Sequence, residues 1–395
     1  MAVSLAFVVL LGLLADYLFR KLNLPGLVGM LLVGILCGPY VFNIMQPELL
    51  KVSADLRMVA LIVILLRAGL ELRRDTLNRV GKTALLMSCI PAIFEGAVIT
   101  FLAPKFLGIS YLEAAILGAI LSAVSPAVVV PLMINFIDQR RGTKKGIPTL
   151  ILGASSVDDV FVIVVFSILL GMYTGSQTNI FVKLLEIPES IILGILTGAI
   201  AGYILYRIFT QYKLRATKMT ITIVAVSVLL TWLEEVLKDR IALSALLGVM
   251  TVGFIILEKR ETIAHKISQK LAKVWIFAEI LLFVLVGAQV NIKVAWNAGL
   301  VGAFLIFIAL IGRSIGTYLC VLGTELNFRE RLFCVISYIP KATVQAAIGA
   351  VPLEAGVKSG DIILAVAVLS ILLTAPLGAI GIMSTGKRWL EKEEG

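Results

Sequence analysis

The chain has almost nothing with which to hold a transition metal. One histidine, His265, and four cysteines, Cys37, Cys89, Cys320 and Cys334, none in a CxxC spacing, are scattered over 395 residues. That leaves no ligand set for a structural zinc or an iron–sulfur cluster. The cysteines fall in apolar runs and read as small buried hydrophobes. His265 lies in the polar run EKRETIAHKISQK and reads as a solvated loop residue. Charge is scarce too: 15% of residues are charged, against about 25% in soluble domains. With 59% hydrophobic residues and a mean hydropathy of +1.03, a soluble fold is excluded. The net charge of +10 comes without an aromatic-studded basic patch, so it speaks for the loops of a membrane protein and not for nucleic acid. Long linkers and soluble insertions are missing as well, which makes this a single membrane domain.

What fills the chain instead is a series of apolar runs of spanning length. They fall near 2–19, 26–43, 56–70, 83–103, 111–136, 147–171, 187–209, 216–233, 241–257, 274–290, 296–321, 332–352 and 361–384. The expected fold is therefore an all-α polytopic membrane protein of thirteen transmembrane helices. Residues 1–19 have no Lys or Arg ahead of the apolar run and no clear small-residue cleavage site, so they are expected to be a span and not a signal peptide. Basic residues alternate between the loops, about two dozen on one side, from Arg20 to Lys392, and about seven on the other, from Lys51 to Lys358. The positive-inside rule then puts the N-terminus outside and the C-terminus in the cytoplasm. Short tails suit a bacterial inner membrane.

Two spans should be broken. The fifth contains LSAVSPAVVVP (121–131) and the twelfth SYIPKATVQAAIGAVP (337–352). Proline removes a backbone donor and obstructs the preceding turn. The two lie seven spans apart, and an odd offset turns the second copy upside down. Residues 1–186 (spans one to six) and 210–395 (spans eight to thirteen) thus read as an inverted repeat joined by span seven at 187–209. Matched interrupted helices in inverted halves point to a transporter's midplane site, where freed helix ends offer partial charges and carbonyls to an ion.

The string GASSVDDVFVIVVFS (153–167) places adjacent Asp158 and Asp159 near the middle of the sixth span. A carboxylate at bilayer depth costs at least about 3 kcal/mol, so the pair reads as an ion site. Asp159 is assigned the cation, Na+ or Li+, with Asp158 beside it. Ser155 lies on the same helix face and Ser125 at the break of span five. Both supply hard oxygen suited to such a cation, and both equally suit a hydroxyl that satisfies backbone carbonyls. Close carboxylates resist joint ionisation, so proton and cation compete for one group. If the empty, doubly charged site cannot reorient, obligatory exchange follows.

The other intramembrane charges are Glu95, Glu279, Arg313 and Lys341. Arg313 cannot release its proton and reads as a fixed countercharge with Glu95 or Asp158 as partner. Lys341, at the second break, neutralises a carboxylate or caps freed carbonyls. Glu279 has no evident partner and reads equally as a span-edge residue or part of the pathway. An intramembrane aspartyl protease needs aspartates converging from two helices, which adjacent residues on one helix do not provide. A passive cation channel needs neither the paired breaks nor a proton. Potassium in place of sodium is the nearest alternative, since nothing in the sequence measures cavity size.

The strings AVSPAVVVP, GASSVDDV and IPKATVQAAIG resemble the fifth, sixth and twelfth spans of sodium/proton antiporters of the monovalent cation/proton antiporter-2 family, especially its NHA branch. The resemblance extends over essentially the whole chain. It implies a six-helix core domain with two crossed broken helices, a dimerisation domain, a homodimer in the lipid bilayer and elevator-like movement of the core. It also implies exchange of monovalent cations for protons without a cofactor. The family's paired acids match Asp158 and Asp159, the latter the principal cation ligand, and its basic residue after the tenth span matches Arg313. Many bacterial relatives have lysine there, so mechanisms in which that lysine gives up a proton do not transfer. In the NHA branch an acid resembling Glu95 pairs with this arginine.

Overall fold

The computed structural model describes residues 2–22, 24–72, 74–175, 180–212, 214–237 and 241–393. Of the loop charges behind the orientation, Arg73, Lys213, Lys238 and Arg240 lie outside the described residues, as do the side chains of Lys183 and Lys293. The first half runs α1 (Ala2–Lys21), α2 (Gly26–Cys37), a short α3 (Pro47–Lys51), α4 (Ser53–Gly69), α5 (Arg74–Met87), α6 (Ile90–Leu107), α7 (Tyr111–Ser122), α8 (Pro126–Asp138) and α9 (Ile147–Thr174). The second runs α10 (Ile180–Gln211), α11 (Ala216–Leu237), α12 (Ala245–Lys259), α13 (Glu261–Ala288), α14 (Ile292–Val321), α15 (Phe328–Ser337), α16 (Thr343–Ile348), α17 (Val351–Glu354) and α18 (Gly360–Trp389).

Among the described residues, nine helical stretches are long and apolar enough to cross a membrane. The thirteen expected spans exceed this because four are short or interrupted: α2 has 12 residues, α4 has 17, α12 has 15, and the run 332–352 is divided among α15, α16 and α17. Two polar runs expected as loops are helical. Residues 74–82 form the first turns of α5, and most of EKRETIAHKISQK forms the start of α13. There Ala264, Ile267, Ser268 and Leu271 are buried while His265 and Lys266 are exposed. Apolar residues at three- and four-residue spacing hold this stretch helical, a period hidden among its charges.

The helices pack as two groups. In one, α1, α2, α4 and α10–α13 lie against each other; in the other, α5–α9 and α14–α18 do. The first group is built on glycine crossings. A Cβ on Gly34 of α2 would stand 2.0 Å from the Val284 carbonyl oxygen of α13, and one on Gly287 2.2 Å from that of Leu31. Gly69 of α4 and Gly253 of α12 meet likewise, with Cβ positions 2.0 and 2.7 Å from the Met250 and Leu66 carbonyl oxygens. Close backbone approach of this kind is how helices pack in lipid, where no hydrophobic force draws them together. Gly34→Leu drives its side chain into backbone, which cannot swing aside, so we expect a loss at or above about 3 kcal/mol, the upper end for overpacking. A variant that stays monodisperse in detergent with an unchanged melting temperature would refute this.

In the second group a capping box opens each broken span. Ser110 and Glu113 bond reciprocally at the start of α7, and Asn327 and Glu330 at the start of α15, equally far ahead of Ala123 and Pro340. Each glutamate is also reached from the loop that follows the other broken span. Ser359 N–H donates to Glu113 (3.1 Å) and Lys145 Nζ to Glu330 (2.8 Å).

Candidate ion-binding site

Where α7 ends, residues 123–125 are extended, and Pro126 restarts the chain as the first residue of α8, where a missing N–H costs nothing. The second interruption spans 339–342 between α15 and α16. The two meet: Ser125 N–H donates to the Pro340 carbonyl oxygen at 2.8 Å, and the Ser125 and Thr343 hydroxyls stand 3.5 Å apart. A helix C-terminus leaves carbonyls without partners and attracts cations. Here side chains from other parts of the chain satisfy them. Gln345 donates to Ile120 and Ala123 (2.9 and 3.1 Å), Lys341 Nζ to Leu121 (2.5 Å), and Arg313 to Ser122.

The same two cations hold the carboxylates. Glu95 of α6 lies between them, 3.0 Å from Arg313 Nη1 and 2.8 Å from Lys341 Nζ. Arg313 Nη2 stands 3.5 Å from Asp158 Oδ1, while its Nε donates to the Tyr338 carbonyl oxygen at 2.6 Å and its guanidinium lies over the Tyr338 ring. Asp158 Oδ2 accepts from the freed Val124 N–H at 2.7 Å. Glu95, Asp158, Arg313 and Lys341 are all buried, each at 1% exposure or less. Two acids and two bases, three of them held by backbone and Glu95 by the two cations, make a neutral cluster that offsets the desolvation of its members.

Asp159 is different. No hydrogen bond to its carboxylate is present among the described residues, and Oδ1 is buried without a partner. Its side chain borders a cavity of about 510 Å³ that also reaches Pro126, Ser156 and Thr343. From there the cavity runs between the two helix groups toward Ala54 and Arg57 at the start of α4 and Thr231, Glu234 and Glu235 at the end of α11. At the opposite end of α4 the groups are tied. Arg67 and Asp138 of α8 form an ion pair at 2.5 Å; within the first group, Ser268 of α13 donates to Glu71, just past the end of α4, at 2.8 Å. Burial holds the Glu71 carboxyl above the usual carboxylate range, more than the Ser268 bond lowers it. A hard cation wants several oxygens at short range; Asp159, Ser156 and Thr343 border the cavity, and Ser125 lies behind them with its hydroxyl 3.5 Å from that of Thr343.

The sequence profile described as "Sodium/hydrogen exchanger, transmembrane" matches residues 5–386. The chain belongs to the sodium/hydrogen exchanger family. Sodium/hydrogen exchanger 9B2 of Homo sapiens is 34% identical over 392 residues, covering 94% of this chain and 71% of that protein. Sodium/hydrogen exchanger 9B1 of Homo sapiens is 31% identical over 385 residues, covering 93% and 73%. The solved structure of the sodium proton antiporter MjNhaP1 from Methanocaldococcus jannaschii superposes with a TM-score of 0.77 at 20% identity, over 97% of each chain, a likeness of fold alone. Sodium/hydrogen exchangers are transporters, so this family member is not an enzyme.

In this member of the exchanger family, the charged residues singled out from sequence fall into one cluster, with one exception. Asp158, Asp159, Glu95, Arg313 and Lys341 lie together at the crossing of the breaks, Arg313 touching both Glu95 and Asp158, and Lys341 touching both a carboxylate and a freed carbonyl. Glu279 stands apart on α13, half-buried and within electrostatic reach of the Arg20–Asp16 pair of α1. Ser125 sits at the crossing. Both serine hydroxyls donate to the Leu152 carbonyl oxygen of their own helix, Ser155 at 3.2 Å and Ser156 at 2.9 Å, but Ser155 is buried whereas Ser156 borders the cavity. Ser156, Thr343, Gln345 and Tyr338 escaped sequence reasoning, since a hydroxyl or amide in a membrane helix is common. Tyr338, Thr343 and Gln345 carried a signal, in their nearness to Pro340.

Proposed function

We propose that the chain exchanges Na+ or Li+ for H+ by alternating access, with both ions competing for Asp159 and Asp158. The carrying observation is that Asp159 is the one carboxylate of the cluster facing the cavity without a hydrogen bond, while Asp158 is engaged by Val124 and Arg313. A group left unpaired at membrane depth is a functional group by default. Arg313 and Lys341 act as countercharges with Glu95, Ser125 completes the oxygen set, and Ser155 stays a candidate ligand through its place one turn from Asp159. Because Arg313 keeps its proton, the exchanged proton travels on the aspartates.

The architecture we assign is thirteen spans in an inverted repeat of six, with span seven between. It is supported by the matched capping boxes and their reciprocal ties across the two broken spans. The working form is a homodimer in a bacterial inner membrane, N-terminus outside. In that orientation the cavity opens outward and the Arg67–Asp138 tie lies on the cytoplasmic side, the arrangement of one end state of alternating access, in which the core group moves against the other as an elevator.

The test is dequenching of a pH dye in proteoliposomes, with Na+, Li+ and K+ added separately and the membrane potential clamped or free. We expect dequenching with Na+ and Li+. A response to K+ alone would replace sodium by potassium, and cation flux indifferent to an imposed pH gradient would make the protein a channel. A rate that changes when the potential is clamped would show net charge movement.

A further inference from the structure

On the side of Arg67 and Asp138, a second opening separates the two helix groups. It is a cleft of about 290 Å³ bounded by Leu77, Gly81 and Leu85 of α5, Val157 of α9, Ala199 of α10 and Phe254 of α12. Its lining is apolar but for the Thr251 hydroxyl, which is turned back onto the Leu247 carbonyl oxygen. Leu85 is 58% exposed and Ile195, at its rim, 43%, so the cleft opens toward the surrounding hydrocarbon. Gly81 leaves it room: a Cβ there would meet nothing within 4 Å.

The helix periods carry each wall of the cleft into one polar cluster at its end. On α5 the face of Leu85, Gly81 and Leu77 continues to Arg74. On α10 the face of Ile195 and Ala199 continues to Tyr203 and Arg207, and on α12 that of Thr251 and Phe254 continues to Glu258, beside Lys259. These ends are joined. Arg74 lies 3.9 Å from Glu258, Arg207 donates to the Tyr203 hydroxyl at 3.0 Å, and Lys259 Nζ stands 5.9 Å over the Tyr203 ring. Three cations face one acid at the level where an apolar cleft meets the membrane surface. An apolar slot below a basic shelf matches one amphiphile, a phospholipid whose headgroup is anionic.

We infer that this cleft holds one anionic phospholipid, its acyl chain between α5, α10 and α12 and its phosphate against Arg74, Arg207 and Lys259. The lipid sits between the two helix groups, apart from the Asp159 cavity, and its binding does not depend on which ions the protein moves.

Native mass spectrometry of the full purified chain tests it, with phosphatidylglycerol and phosphatidylcholine of the same acyl chains. We expect one phosphatidylglycerol per protomer to persist at energies that strip phosphatidylcholine. Arg74→Gln with Lys259→Gln should weaken its retention by about thirtyfold, at about 1 kcal/mol for each cation removed. Gly81→Leu should abolish it without lowering the lipid-free melting temperature, and Ala199→Leu should do the same from the opposite wall. Equal retention of the two lipids, or retention unchanged in both cleft-filling variants, overturns the assignment.

Discussion

Asp159→Asn should reduce cation-induced dequenching to the level of empty liposomes, with Na+ and Li+ alike, and leave the protein folded. Asparagine keeps the volume of aspartate but neither titrates nor offers a full negative charge to a cation. The structural cost should be small, because no hydrogen bond is broken: among the described residues the Asp159 carboxylate has none, unlike Asp158, which holds the Val124 N–H. Replacing an unpaired carboxylate by a neutral amide also relieves desolvation, so the melting temperature without sodium should equal or exceed that of the parent. Sodium stabilises whichever fold binds it by mass action, and the upward shift of melting temperature with Na+ should vanish in the variant. Exchange at the parent rate would remove Asp159 from the ion path. A variant that unfolds would show a structural role instead.

Glu95→Gln should be the most destabilising isosteric change in the cluster. Its carboxylate faces two buried cations at once, at 3.0 and 2.8 Å. Breaking a buried pair from one side costs about 3–5 kcal/mol, because the partner is left charged and out of water. Arg313 keeps Asp158 at 3.5 Å, but Lys341 loses the carboxylate it contacts and retains only the Leu121 carbonyl oxygen. The remedy follows from that asymmetry. Removing the stranded charge in Glu95→Gln with Lys341→Met should recover a large part of the lost stability, a coupling that a double-mutant cycle measures. Additive losses would mean that Glu95 and Lys341 do not depend on one another.

The site was legible in sequence where charge stood out against an apolar background. Asp158, Asp159, Glu95, Arg313 and Lys341 were each conspicuous by type, and Pro126 and Pro340 by their effect on a helix. The choice between Ser155 and Ser156 was not legible. Both lie within a turn of Asp159, and which one borders the cavity depends on the rotation of α9 against α8 and α12, a property of packing. The start of α13 was misread for the opposite reason, as its lysines and His265 masked the buried spacing of Ala264, Ile267 and Leu271. The two capping boxes were legible but overlooked, since Ser110 with Glu113 and Asn327 with Glu330 both carry the N-cap and N3 spacing of that motif.

Those boxes have a mechanical consequence. Glu113 and Glu330 each tether the start of one broken span to the loop that ends the other, while the breaks themselves are joined through Ser125 and Pro340. The crossing is thus clamped at its middle and at both membrane faces, like a pair of shears riveted and also bound at the tips. A displacement imposed at one end of the crossing is delivered to the other without being absorbed at the pivot, so the groups gathered there keep their spacing under load.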